Sequence, residues 1–332
     1  MSELQILLIS IGAVLIVLVL LYNGWQEWRA RRSMRPVQPD PGQDVLLQDA
    51  PQRREPGLWD RPPAPAAAPE EPADIDPACE AVIDIALAHP VPGAALADAV
   101  RGIERAGKKP VRVFVQREGG GYSAQAQPDA AYVALQLAVV MANRSGPLTA
   151  IEWSNLWTLA QDLSEHFEGQ IEAPEQDAVL GRATELDARC AAMDAQVGLI
   201  LQLATPQPLA AITQAAAQAG FVPSGPRWAW VAENGMPRFT MLLDSGNPAA
   251  IHRVDIVLDV PNSIPDDQAF SRMVAVGRDL AGRLDAHVLD DQGRTFQDSA
   301  MAPIDRQISA LYDQLEQAGF LAGTERTARV FS

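Results

Sequence analysis

The chain has 332 residues, room for about two domains of ordinary size, and 48% of them are hydrophobic, ample for packed cores. Its formal net charge of −16 sets nucleic acid aside as a partner, because phosphate neutralisation needs a basic surface and this one would repel a polyanion. The two cysteines, Cys79 and Cys190, are too few for a disulfide framework and lack metal-ligand spacing. They read as reduced thiols, with Cys190 on the apolar side of a helical pattern.

From the N-terminus, "LQILLISIGAVLIVLVLLY" runs from Leu4 to Tyr22 without a charge, long enough to cross a bilayer core. Tyr22, Trp25 and Trp28 suit the interface that follows. Glu3 precedes the span and no small-residue cleavage site ends it, so an uncleaved anchor over 1–28 is expected rather than a signal peptide. Arg29, Arg31, Arg32 and Arg35 come next, and the positive-inside rule puts that flank, and the body behind it, in the cytoplasm. Prolines every few residues from Pro36 to Pro77 then make 29–78 a basic flank and a disordered linker. Stretched at roughly 3.1 Å per residue, that linker reaches up to about 130 Å from the membrane.

Beyond the linker the sequence reads as the same thing twice. "AVIDIALAHPVPGAALADAVRGIERAG" (81–107) and "QVGLILQLATPQPLAAITQAAAQAG" (196–220) each spell a strand, a Pro-containing loop and an Ala-rich helix closed by Gly. Alternating segments follow in both halves: "VRVFVQ" and "YVALQLAVV", then "RWAWVAE", "RFTMLLD" and "RVDIVLDV". "LAQDLSEHFEGQI" (159–171) lines up with "VGRDLAGRLDAHV" (276–288), and "LDARCAAMDAQ" (186–196) with "IDRQISALYDQ" (304–314). A duplicated α+β domain is expected, over 79–193 and 194–320 with a tail at 321–332. The alternative is one larger α/β domain with similar helices. In the second half the expected order is strand 197–204, helix 208–219, strands near 227–232, 238–244 and 252–260, helix 267–285, strand 287–291 and helix 302–317. Ile304, Ile308, Leu311 and Leu315 form one core stripe, and Phe270, Met273, Val274, Gly277, Leu280 and Leu284 another.

The anchor with its basic flank, the Pro-rich linker, "VDIVLDVP", a long helix, "VLDDQGR" (288–294) and a last amphipathic helix together resemble the ZipA family of cell-division proteins. The resemblance is best over about 190–320. It implies a split β-α-β domain with a six-stranded antiparallel sheet backed by three helices. Its partner would be the C-terminal tail of FtsZ, the tubulin-like protein of the bacterial division ring, docked on the exposed sheet face. The protein would then be a single-pass inner-membrane adaptor at the division septum that tethers the Z ring. The runner-up is a membrane-anchored scaffold of the same fold for another divisome or envelope protein.

Strand parity gives the outward residues of that face as Ile200, Gln202, Trp228 or its neighbour Trp230, Thr240, Leu242, Asp244, Asp255, Val257 and Asp259. Ile200, Leu242 and Val257 make its apolar floor, and the three acids suggest a tail carrying Lys or Arg. The corresponding outward positions of the first half, Asp84, Ala134, Gln136 and Ala138, offer little to an apolar ligand, so that half is expected to be a spacer or to pack against the second. No catalytic residue, cofactor, metal or small-molecule substrate is expected. His89, His166, His252 and His287 lack ligand spacing, "EGGGYS" (118–123) reads as a hairpin turn without a following "GK[ST]", and Asp290 and Asp291 brace or solvate a turn.

Overall fold

A computed structural model describes residues 75–225, 227–243 and 247–332. The expected anchor with Leu4, Tyr22 and Trp25, its flank at Arg29, Arg31, Arg32 and Arg35, and the linker up to residue 74 lie outside the described residues. No helix among the described residues is long and apolar enough to cross a membrane.

The first half begins with β1 (Glu80–Pro92), whose alternation buries Ala81, Ile83 and Ile85 on one face. Helix α1 (Gly93–Val100), β2 (Arg105–Ala106), β3 (Lys109–Arg117), β4 (Tyr122–Ser123) and β5 (Ala131–Val140) follow. The "EGGGYS" stretch is the turn of the β3–β4 hairpin, in which Val115 pairs with Ser123. A small hairpin, β6 (Ala142–Asn143) and β7 (Gly146–Pro147), leads into α2 (Ala150–His166). That helix starts with a capping box: Thr149 Oγ1 accepts the Glu152 N–H, and the Glu152 carboxylate accepts the Thr149 N–H. Trp153, Leu156, Ala160 and Leu163 form its buried stripe. Strand β8 (Gln170–Glu172) and α3 (Gln176–Ala191) complete the half. Its sheet runs β2-β3-β5-β1-β8, with β4 on β3, and every pairing is antiparallel.

The second half comprises β9 (Gln196–Gln207), α4 (Leu209–Gln218), β10 (Phe221–Ser224), β11 (Arg227–Val231), β12 (Pro237–Leu243), β13 (Ile251–Asp259), α5 (Ala269–Leu284), β14 (Ala286–Asp290) and α6 (Met301–Gln317). Its antiparallel sheet runs β10-β11-β12-β13-β9-β14. Six strands and helices α4 to α6 match the expected α+β architecture. Strand β10 is additional: "FVPS" is too short, and interrupted by Pro, to show periodicity. In both halves the opening strand lies second from the sheet edge, beside the short strand that follows the long helix.

Helix α5 explains why one face of the second sheet is covered. Phe270, Met273, Val274, Gly277, Leu280 and Leu284 are all buried and meet Leu199, Leu201, Val254, Ile256 and Leu258 in the same core. Each large side chain contributes about 1.5–3 kcal/mol of burial. A Cβ on Gly277 would sit 3.4 Å from the side chains of both Ile256 and Leu199, so glycine lets the helix lie close to the sheet. The N-terminus of α5 has no cap of its own. Asp305 on α6 supplies one across the helix pair, accepting the Phe270 N–H at 2.8 Å, the Ser271 N–H at 3.2 Å and the Ser271 hydroxyl.

The C-terminal segment 321–332 carries a further helix. Helix α7 (Glu325–Val330) buries Val330 and Phe331, and the Phe331 carbonyl accepts from Asn262 Nδ2 at 2.9 Å. Arg326 pairs with Asp76 at the start of the first half, and Arg329 lies 3.7 Å from Glu80 at the first residue of β1. The two halves therefore belong to one compact unit that takes in the described residues from 75 to 332. Both thiols are buried: burial pushes Cys79 up to about 12 and Cys190 up to about 11.

Candidate protein-binding face

The face of the second sheet opposite α5 is set by register. Antiparallel partners share a face, so the pairs Leu289–Ile200, Ile200–Asp255 and Asp255–Leu242 form one row across four strands. With strands about 4.8 Å apart the row is about 14 Å wide, the length of a short peptide segment. The adjoining row holds Gly198, Val257, Thr240, Ala229 and Val222. Gln202, Arg253 and His287 form the next row on the other side. Ile200, Leu242, Val257, Thr240 and Gln202 thus stand on one face, at the parity expected from sequence. Ile200 is only 8% exposed, whereas Leu242 and Val257 are half-buried. Asp244 lies outside the described residues.

Trp228 requires a correction. It pairs with Met241, and Trp230 with Phe239, both core residues, so the two indoles lie on the helix side of β11. Trp230 stacks on Phe239 at 5.3 Å and donates its indole N–H to the Ala219 carbonyl at the end of α4. The physical reason is the turn before β12: its length sets residue 241, not 240 or 242, opposite 228, and one step of register inverts a face. On the open side the parity of β11 and β10 leaves Ala229, itself 1% exposed, and Val222, 41% exposed. Leu289 is a further open-face residue that was not among those expected, although the expected strand 287–291 includes it. Strand parity carried the signal, since Val288 pairs with core Leu201 and its neighbour must point the other way.

The acids on this face are not bare. Asp255 pairs with Arg253 at 2.7 Å, two residues away on the same strand face. Asp259 accepts Gln196 Nε2 and, from the first half, both terminal nitrogens of Arg144, at 2.6 and 2.8 Å. Arg144 also binds Asp194 through Nε and Nη2. Burial opposes the charged guanidinium, but the two carboxylates outweigh it and raise its pKa. The exposed Arg227 stands opposite Ser224 on the same open side. Arginines thus offset Asp255 and Asp259, and the reasoning from bare acids to a Lys- or Arg-bearing tail does not hold for those two positions.

The paired acids at the end of β14 have a local role. Asp290 Oδ1 accepts the backbone N–H of Gln292 and of Arg294, and Oδ2 accepts Arg294 Nε at 3.0 Å. Those bonds, the Arg294 backbone first, hold its carboxyl below the usual range, as befits a turn brace that works ionised. Among the described residues no group of three His, Cys, Asp or Glu could hold a metal ion.

Residues 240–307 match the family model described as ZipA, C-terminal FtsZ-binding domain. The matched segment runs from Thr240 on β12 through β13, α5 and β14 into α6, and so includes Leu242, Asp255, Val257 and Leu289. No curated protein matches the chain. The match supports a ZipA-like protein, from a protein-binding rather than an enzyme family, with a role in cell division through FtsZ.

Proposed function

We propose that the protein is a membrane-anchored cell-division adaptor that binds the C-terminal tail of FtsZ on the open face of its second sheet and tethers the Z ring to the inner membrane. The observation that supports this most is the coincidence of two things. The segment matching the FtsZ-binding family carries the strands on which Leu242, Val257 and Leu289 share one face with Ile200. Apolar side chains on an uncovered sheet are what a short amphipathic tail needs as a receptor. Gln202, Thr240 and Asp255 border the floor and orient the peptide. The charge-free Leu4–Tyr22 span, with Arg29, Arg31, Arg32 and Arg35 after it, supports an anchor with a cytoplasmic body, and the Pro-rich linker supplies reach. The common four-strand order, β8-β1-β5-β3 and β14-β9-β13-β12, supports duplication of one ancestral domain.

The test is fluorescence anisotropy of a labelled FtsZ C-terminal tail peptide from the same organism, titrated with residues 64–332 and with a Leu242→Glu, Val257→Lys variant of equal melting temperature. Saturable binding that weakens by about 30-fold or more in the variant, the loss of a hot spot, supports the reading. No binding by the unmodified protein refutes it.

A further inference from the structure

Arg144 belongs to the first half by sequence and to the second by position. It stands in the turn between β6 and β7, and that hairpin is pinned from below. The buried Lys109 donates from Nζ to Asn143 Oδ1 at 2.7 Å, to Ser145 Oγ at 3.2 Å and to the Gly146 carbonyl. Asn143 Oδ1 also accepts the Ser145 N–H and hydroxyl. A turn held this way presents its arginine in one place. The guanidinium meets Asp194 with three contacts and Asp259 with two, and Asp259 ends the row of open-face positions on β13 that includes Asp255 and Val257. Without Arg144, two carboxylates would stand uncompensated at that end of the face. With it, the trio carries a single net negative charge, shared across a planar fork that matches carboxylates bidentately.

We propose that Arg144 is a specificity-determining residue of the open face, supplied by the first half: by holding Asp259 in an ion triad with Asp194, it keeps that end of the face from recruiting cationic segments. The first half thereby shapes the selectivity of a surface it does not itself form. This rests on the tail-binding reading for its purpose, but the triad can be tested without the tail.

The experiment uses the full chain in detergent micelles, unmodified and with Arg144→Met, which keeps an apolar stem in place of the arginine's. Two probes are titrated: tetralysine, followed by the amide signals of Gln196, Val257 and Asp259, and the FtsZ tail peptide with and without one added lysine, followed by anisotropy. In the unmodified chain tetralysine leaves the signals in place. In Arg144→Met it shifts them, and the lysine-bearing peptide gains about threefold to fivefold over the plain one, the range of an exposed ion pair. Adding Asp259→Asn removes both gains. An Arg144→Met chain that melts like the unmodified one and shows neither gain overturns the proposal. If no tail peptide binds the unmodified chain while tetralysine still separates the variants, the tail-binding reading fails and the assignment of Arg144 stands. Should Arg144→Met not fold, Asp259→Asn alone decides the matter. It frees one side of the guanidinium, so tetraglutamate should shift the Gln196 and Val257 signals, and unmoved signals overturn the proposal.

Discussion

The two sheets share the order of four strands, β8-β1-β5-β3 in one and β14-β9-β13-β12 in the other, and an antiparallel plan, yet their open faces differ in kind. On the first, Asp84 pairs with Gln136 and is held by its side-chain amide at 2.6 Å, and Ala86 faces Ala134. Val82 faces Ala138, and the Arg112 fork binds Glu80 through Nε and Nη2. Arg112 also lies over the Phe114 ring at 4.7 Å. Polar partners there satisfy one another, Phe114 and Ala138 on the same side are fully buried, and the remaining small alanines leave little to grip. On the second, the matching rows carry Ile200, Leu242, Val257 and Leu289. The difference teaches that a fold supplies an uncovered sheet, while the side chains of two rows decide whether anything docks on it.

The comparison breaks most visibly at Glu80, a carboxylate 1% exposed. Replacing it with Ala removes the buried carboxylate that both Arg112 and Arg329 meet, and should cost about 3–5 kcal/mol, read from the urea midpoint. A charge introduced at Val257 on the other sheet, being half-buried, should cost far less stability while destroying tail binding. Conversely, Gln116→Glu with Ala134→Lys on the first sheet should leave tail affinity within about twofold, because that face contributes no floor. A loss above tenfold there would move the binding face.

Asp305 offers a sharper contrast with Asp291. Asp305→Ala leaves the first N–H groups of α5 without their cap and should lower stability by about 1–2 kcal/mol, whereas Asp291→Ala in the exposed turn should change it by less than about 0.5 kcal/mol. Differential scanning calorimetry of both variants checks this.

Acid should loosen both halves through different carboxylates. Burial opposes ionisation of Glu152, but the Thr149 and Lys108 N–H groups and the Thr149 hydroxyl outweigh it and lower its pKa below 4.5. Asp266 is likewise lowered below 3.8, where Arg272 and Arg238 outweigh burial. A carboxyl depressed in the fold adds stability that is fully present above its ordinary value and is lost as pH falls through the folded value. Melting temperature should therefore decline from about pH 4.5 downward, and Glu152→Gln should flatten the start of that decline. The smallest effect is at the thiols. With both raised and buried, neither should react with a disulfide reagent at pH 8 in the native state, and both should react in urea.

Much of this was legible without the structure. The stripes of α5 and α6 are plain in the sequence, because a helix that buries one side must repeat apolar residues every three or four positions. The parity of β9, β12 and β13 is equally plain, because alternation encodes a face. What could not be read there depends on contacts between distant segments. Trp228 changed face through the pairing set by one turn, and β10 is too short for its period to register. Helix α7 has too little apolar repeat to show, although it ties the C-terminus to Asp76 and Glu80.

The sequence by itself determined the longer helices and strands of the second half, the parity that puts Ile200, Leu242 and Val257 on one face, and the ZipA-like pattern of that half, since each is a local periodicity or a contiguous motif. Only the tertiary structure decided that Asp305 caps a helix 35 residues away and that Arg144 reaches Asp259 over a separation of 115. Charge and hydrogen-bond partners are chosen by proximity in space, and no spacing along the chain announces them.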